Sequence, residues 1–130
     1  MLLVRDFKTN TKISKIGYEK IADFALGKKY ELSLVFIGPK KMRGLNSKFR
    51  QKDRPTNILS FPLSKTEGEI FICPAIAKEE IKIVKRPLGE YIKYLFIHGI
   101  THLKGFDHGS KMEKEENKIR EKFLKENFSI

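Results

Sequence analysis

Three histidines stand close together in the second half of the chain. His98, His102 and His108 are the only histidines among the 130 residues, and they follow the spacing H-x3-H-x5-H. Neutral imidazole nitrogens are common ligands of zinc and of similar borderline metal ions. Three imidazoles in one short stretch therefore indicate a metal site.

The first two histidines have the spacing of a helical chelate. Residues i and i+4 lie one turn apart on the same face of a helix, so both imidazoles can bind one ion. Gly105 can end the helix and turn the chain back, which lets His108 supply a third nitrogen. Three protein ligands leave a fourth position open, as in catalytic rather than structural zinc sites. The alternative is that the imidazoles are core side chains bonded to backbone. We predict one Zn²⁺ per chain, bound by His98, His102 and His108.

Two neighbours of the histidines bear on the chemistry. Asp107 can orient His108, cap the following helix or lie in solvent, and the residue types do not distinguish these roles. Gly99 occupies the position at which zinc proteases of the H-E-x-x-H type carry their general base. Peptide hydrolysis by that mechanism would therefore need a base from elsewhere in this chain.

A second polar group lies between residues 45 and 62, in the stretch LNSKFRQKDRPTNILSFP. Arg50 offers a planar donor that suits both oxygens of a phosphodiester. Four further polar side chains accompany it: Asn46, Thr56, Asn57 and Ser60. Composition alone favours the simpler interpretation, a loop after a helix with a solvated arginine.

The charge balance favours a polyanionic partner. The chain has 27 Lys and Arg against 16 Asp and Glu, a net charge of +11. Such a charge attracts nucleic acid, although a generic lysine-rich surface would give the same total.

The cysteine count and the lengths of the apolar stretches indicate the cellular compartment that we expect for the protein. The single cysteine, Cys73, excludes an internal disulfide, and we expect a reduced, cytoplasmic setting with Cys73 as a small buried residue rather than a metal ligand. The apolar run at the N-terminus is too short for a signal peptide, and no stretch approaches the roughly 20 apolar residues that span a bilayer. We therefore expect no membrane partner.

The chain reads as one domain, residues 1–130, because no repeat, linker or low-complexity tract divides it. Periodicity predicts strands at 1–7, 30–38, 57–61 and 69–73, and helices at about 13–26, 39–50, 74–86, 87–105 and 110–127. Apolar residues on the second of these helices are Met42, Leu45 and Phe49. We expect an α/β (mixed α+β) fold with one small mixed sheet packed by helices. Leu88, Tyr91 and Leu95 continue the stripe of His98 and His102, which predicts that the ligand helix is buried and central.

Two motifs together resemble one known family. HGITHLKGFDH at 98–108 and NSKFRQKDRPTNILSFP at 46–62 resemble the YbeY family of bacterial ribosome-associated endoribonucleases, and GEIFIC at 68–73 is similar to that family's G-D-I-x-I-C. The similarity covers about residues 34–125. The departures are Thr101, Phe106 and Glu69, where the family usually has leucine, tyrosine and aspartate.

The resemblance implies an α/β fold, a three-histidine metal site usually assigned as zinc, and cleavage of single-stranded RNA. It also implies a role in ribosomal RNA processing, notably 3′-end maturation of the small-subunit RNA, and in ribosome quality control. Carried over by position, His98, His102 and His108 are the metal ligands, and Arg50 acts on the RNA backbone. The candidate catalytic residues are thus Arg50 and His102, and the partners are single-stranded RNA, ribosomal RNA and the ribosome.

Other functions are compatible with the same residues. One is a ribosome-binding assembly factor whose metal chiefly holds the fold and which cleaves little or no RNA; Gly99 in place of a glutamate and the diffuse charge favour it. Another is a metal-dependent hydrolase of a peptide or small ester. For an endoribonuclease, the nucleophile is either water held by the metal or the 2′-hydroxyl of the RNA.

Overall fold

The computed structural model describes residues 2–6, 9, 15–106 and 109–124. Within them lie four strands and five helices. In chain order these are β1 Leu2–Asp6, α1 Lys15–Leu26, β2 Glu31–Phe36, α2 Pro39–Arg50, β3 Ile58–Pro62, β4 Glu67–Ile72, α3 Pro74–Val84, α4 Leu88–Leu103 and α5 Ser110–Phe123.

The strands form one mixed sheet in the order β1-β2-β4-β3. β1 pairs in parallel with β2, and β2 pairs in parallel with β4. β3 runs antiparallel to β4 and is an edge strand of the sheet. The predicted class, a small mixed sheet packed by helices, is confirmed.

Alternating side chains divide the core between the two faces of the sheet. Leu34 in β2 packs into the larger cluster, which includes buried residues of α1, α4 and α5. Val35, the next residue, packs into a smaller cluster with Met42 of α2. Because successive side chains of a strand point to opposite faces, both sides of this central strand are covered by helices.

Several element boundaries differ from the predicted ones. β4 begins at Glu67 rather than at 69, because its first residues continue the pairing with β2. The loop between β3 and β4 is correspondingly shorter than the predicted stretch 62–68. The last helix is described as far as Phe123. Met1, Phe7, residues 13–14 and residues 125–127, which belong to predicted elements, lie outside the described residues.

Two phenylalanines on the predicted helices are open to solvent, one of them from the apolar set named for the second helix. Phe24 of α1 is 42% exposed, and Phe49 of α2 is 55% exposed. Ile21 and Ala25 on α1 are buried, as is Met42 on α2. The buried stripe of each helix is therefore narrower than its apolar residues suggested.

Helix α4 is the central helix of the domain. It contacts β3, β4, α1, α3 and α5. Its buried residues are Tyr91, Ile92, Leu95, Phe96, Ile97, Gly99, Ile100 and Thr101. The prediction that the histidine-bearing helix is buried is confirmed, because half of its 16 residues are withdrawn from solvent.

Gly99 marks the closest approach of α4 to the sheet. A Cβ atom at this position would lie 2.7 Å from the Ser60 Oγ, 2.8 Å from the Ile58 Cδ1 and 3.1 Å from the Ile70 Cδ1. The Ser60 hydroxyl also donates a hydrogen bond to the Gly99 carbonyl at 3.3 Å. Position 99 thus faces β3 and β4 and has no room for the glutamate of an H-E-x-x-H motif.

Cys73 lies in the core, as the sequence suggested. It follows β4 directly, is fully buried, and burial raises the pKa of its thiol.

The helices in the described part of the chain include none with the length and apolar composition needed to cross a bilayer.

We expect Gly99→Ala to lower the free energy of unfolding by about 1–3 kcal/mol, because the added methyl overpacks the contact between α4 and the sheet. Gly44→Ala in α2 is the control. A Cβ there meets nothing within 4 Å, so better helix propensity should raise stability by about 0.5–1 kcal/mol. Urea denaturation of both variants measures the difference. Equal stabilisation by both substitutions would contradict the close packing at Gly99.

Candidate functional site

One cleft of about 640 Å³ joins the two sets of residues that the sequence suggested for chemistry. Its walls come from the end of α2, the segment through β3, and one side of α4. The lining residues are Arg50, Thr56, Asn57, Ile58, Leu59, Ser60, Phe61, Pro62, Tyr91, Tyr94, Leu95, His98 and His102.

The first two predicted metal ligands both line this cleft. The ring centroids of His98 and His102 are 4.8 Å apart and their planes are nearly perpendicular, at 88°. Both side chains are half-buried on α4. The predicted placement of the two imidazoles one turn apart on a single helical face is therefore observed.

A buried carboxylate on α5 contacts the first of these imidazoles. The Glu116 Oε1 lies 2.5 Å from the His98 Nδ1, and Glu116 is only 7% exposed. With Glu116 ionised and His98 neutral, this contact places the proton on Nδ1, which leaves the lone pair on Nε2. Carboxylates that accept a proton from one ring nitrogen in this way commonly orient metal-binding histidines through the other nitrogen.

Glu116 is absent from the predicted site residues, although its position in the sequence indicates that it is buried. Met112, Glu116, Ile119 and Phe123 follow one another at steps of four, three and four, so the carboxylate lies within the apolar stripe of α5. A glutamate on a buried helical stripe requires a partner, because burying an unpaired charge costs several kcal/mol. The pKa of Tyr94 is raised mainly by burial of its phenol and secondly by the negative charge of Glu116.

The turn after α4 has the predicted form. Gly105 has φ +92°, and its N–H donates to the His102 carbonyl at 2.9 Å. His108 and Asp107, the predicted third ligand and its neighbour, lie outside the described residues. Over residues 2–6, 9, 15–106 and 109–124, no group of three or more histidine, cysteine or acidic side chains could hold a metal ion.

Arg50 reaches the cleft because α2 ends there. Arg50 is the last residue of the helix, and Gln51 after it adopts a left-handed conformation with φ 58°. The Gln51 N–H closes the last turn on the Ser47 carbonyl at 3.1 Å. The exposed guanidinium therefore stands at a helix end beside β3, across the cleft from the histidines of α4.

The other polar residues of this stretch have different positions. Thr56, Asn57 and Ser60 line the cleft. Asn46 does not: it is 1% exposed, and its Nδ2 donates to the Arg54 carbonyl at 2.8 Å. Position 46 follows Met42 by one turn on the core-facing side of α2. Asn46 therefore ties α2 to the loop after it and does not face the cleft.

A glutamate of α3 holds two residues of the cleft wall. Glu80 Oε1 accepts hydrogen bonds at 3.0 Å from the Asn57 Nδ2 and at 3.0 Å from the Tyr91 hydroxyl. The pKa of Tyr91 is raised mainly by burial and secondly by the negative charge of Glu80. The phenol therefore stays protonated and can donate its hydrogen bond to Glu80. Glu80 thus connects the segment before β3 with α4, another contact that spacing in the sequence did not reveal.

Known proteins resemble this chain over most of its length. A family model described as Endoribonuclease YbeY matches residues 4–128. The endoribonuclease YbeY of Aquifex aeolicus is 37% identical over 120 residues, which cover 85% of this chain and 79% of that protein. The endoribonuclease YbeY of Chromohalobacter salexigens is 35% identical over 109 residues, covering 78% and 71%.

A solved structure agrees with these sequence matches. The solution structure of a Thermotoga maritima protein superimposes with a TM-score of 0.70 at 25% identity, and the alignment covers 95% of this chain and 89% of that one. The resemblance inferred from the histidine and arginine motifs is confirmed. This chain belongs to the endoribonuclease YbeY family.

Proposed function

We propose that this protein is a metal-dependent endoribonuclease that cleaves single-stranded RNA. The observation that carries the proposal is the shared cleft of Arg50, His98 and His102, although 47 residues lie between Arg50 and His98 in the sequence. A cationic fork opposite a pair of imidazoles is suited to binding and activating a phosphodiester. The relatives named endoribonuclease support RNA as the substrate.

His98, His102 and His108 are the proposed ligands of one Zn²⁺. Two of these imidazoles share a helical face, and the Glu116 contact orients His98 to present Nε2, so the donor set of α4 fits such an ion. When bound, the ion would supply Lewis-acid activation of the phosphodiester. Gly99, which faces the sheet, cannot be replaced by the glutamate base of zinc proteases, and this counts against peptide hydrolysis by that route.

Arg50 is the proposed partner of the phosphate, and His102 is the second candidate catalytic residue. The guanidinium would bind two phosphate oxygens and balance the charge that develops as the phosphodiester is attacked. Asn57 and Tyr91, held by Glu80, give the wall between Arg50 and the histidines a defined shape. Positioning the scissile phosphate between two rigid elements is the main contribution that we assign to the cleft.

The proposed cellular role follows from family membership. It is ribosomal RNA processing, including 3′-end maturation of the small-subunit RNA, and ribosome quality control, by a single domain of residues 1–130 in the cytoplasm. The ribosome and single-stranded RNA are the proposed partners. Cleavage of RNA by the purified protein separates this role from that of a non-cleaving assembly factor.

Purified protein should contain about one divalent ion per chain, most of it zinc, and His102→Ala should lose most of that metal and the RNA cleavage. Cys73→Ala is the control and should keep the metal, because Cys73 is buried in the core beside β4. Elemental analysis of the three proteins, with cleavage of a single-stranded RNA, provides the measurement. Absence of bound metal together with no uptake of added zinc would refute the metal site.

Glu116→Ala should weaken zinc binding about 10- to 100-fold, because His98 loses the acceptor that orients its ring. The exposed Glu113 on the same helix provides the control, and Glu113→Ala should leave the affinity unchanged. Competition with a chromogenic chelator gives the dissociation constants. In the metal-free protein, nitrogen-15 NMR should find the His98 proton on Nδ1 in the wild type and a mixture of tautomers in Glu116→Ala. Unchanged affinity and tautomer would contradict the role of Glu116.

Arg50→Glu should abolish RNA cleavage without changing metal content or folding, and Arg50→Lys should recover only part of the rate, because lysine keeps the charge but loses the planar fork. Lys48→Ala and Lys52→Ala are the matched controls for general positive charge. Cleavage rates measured across a range of salt concentrations distinguish the two effects, because non-specific phosphate contacts weaken steeply with ionic strength. Equal losses in Arg50→Lys and both lysine variants would remove Arg50 from the catalytic residues.

A further inference from the structure

An exposed aromatic ring adjoins the cleft at its Arg50 end. Phe49 immediately precedes Arg50 and is 55% exposed. Its ring centroid lies 5.1 Å from that of Phe61, and Phe61 lines the cleft. Phe61 in turn contacts the ring of Phe71 on β4, with centroids 5.8 Å apart. Phe49 is therefore supported from behind by a row of rings while much of its surface remains open to solvent.

The chain segment that contains Phe49 carries much of the positive charge of the protein. Residues 39–54 contain seven basic side chains, namely Lys40, Lys41, Arg43, Lys48, Arg50, Lys52 and Arg54, and one acidic side chain, Asp53. This segment contributes +6 of the net +11. Asp53 is paired with Arg43 at 2.8 Å, and the ammonium of Lys48 lies 5.3 Å from the centre of the Phe49 ring. An exposed ring with Lys48 beside it and Arg50 next in the chain suits a ligand that combines flat apolar faces with negative charge.

We propose that Phe49 is a stacking site for an unpaired base of the RNA strand whose backbone enters the cleft past Arg50. The inference rests on the proposed function and adds a base-binding site to it. Single-stranded nucleic acids are bound through such a combination of phosphate-attracting cations and aromatic platforms. Bases in a duplex are stacked on each other and do not offer a free face, so this site favours single strands.

The position of β3 supports this path. β3 is an edge strand, and the cleft includes Ser60, which faces α4, and Phe61, which packs toward α2. The cleft therefore extends around the edge of the sheet, from the histidines on one side to the end of α2 on the other. A flexible single-stranded RNA can follow this curved path with one phosphate at Arg50 and the adjoining base on Phe49. A stiff RNA duplex cannot bend around the sheet edge in this way.

A single introduced tryptophan reports on stacking directly, because the chain contains no tryptophan of its own. Fluorescence of the metal-loaded Phe49→Trp protein, recorded by stopped flow before the RNA is cut, should be quenched by a single-stranded RNA oligonucleotide. An abasic oligonucleotide of the same length and a duplex should quench it far less. Phe24→Trp is the matched control, since Phe24 is also partly exposed, contacts a second ring, Phe123, and lies 4.8 Å from the ammonium of Lys122.

Binding of the same oligonucleotide gives the second test. Phe49→Leu, which keeps the apolar bulk but removes the ring, should bind roughly 5- to 150-fold more weakly, the range that the loss of one base–aromatic stack produces. Phe49→Tyr should bind like the wild type, and Phe24→Leu should have no effect. Normal binding by Phe49→Leu, or equal quenching by the abasic strand, would overturn the stacking site while leaving the endoribonuclease proposal intact. Failure of the wild-type protein to bind RNA would overturn both.

Discussion

The contact between α4 and the sheet at Gly99 determines where the chemically important side chains lie. Because position 99 has no side chain, the helix backbone reaches the side chains of Ser60 and Ile58 on β3 and of Ile70 on β4. His98, the residue before Gly99, and His102, one turn after His98, line the cleft beside the edge strand. A larger residue at 99 would press on these three side chains of β3 and β4, at the contact that holds α4 against the sheet.

Burial of Glu116 is the second constraint, and it acts through electrostatics. A carboxylate in the interface between α4 and α5 is costly unless a donor satisfies it, and the His98 Nδ1 is within 2.5 Å. The pairing therefore couples the packing of α5 to the orientation of one imidazole. Glu80 of α3 similarly couples Asn57, before β3, to Tyr91 on α4. Residues of the cleft are thus held by two carboxylates from helices that do not themselves line it.

The charge of the protein is unevenly distributed in a way that matches the cleft. The segment 39–54 carries +6, whereas α5 carries five basic and four acidic side chains, a net +1. The end of the cleft that holds Arg50 and Phe49 therefore belongs to the more basic of these two segments. A polyanion attracted by this charge would be drawn toward the Arg50 end of the cleft.

Much of the fold and part of the site could be predicted from the sequence, because both depend on periodicity. The spacing of four between His98 and His102 placed them on one helical face, and the apolar stripe of Tyr91 and Leu95 predicted that this helix is buried. Alternation identified the strands, although the start of β4 at Glu67 depended on pairing with β2. These features are local, since the geometry of a helix or strand relates each residue to its near neighbours.

Only the tertiary structure decided how distant segments meet. Spacing along α2 made Asn46 resemble a phosphate ligand and Phe49 a core residue, but the docking of α2 on the sheet buried the first and exposed the second. Glu116 looked like one charge among many on α5 until its helix packed against His98. That Arg50 and the histidines share a cleft likewise depends on the edge position of β3. Arg50 comes from α2 and the histidines come from α4, and β3 lies between them at the edge of the sheet. Periodicity cannot encode such contacts, since they depend on which faces pack together and not on the order of residues within one element.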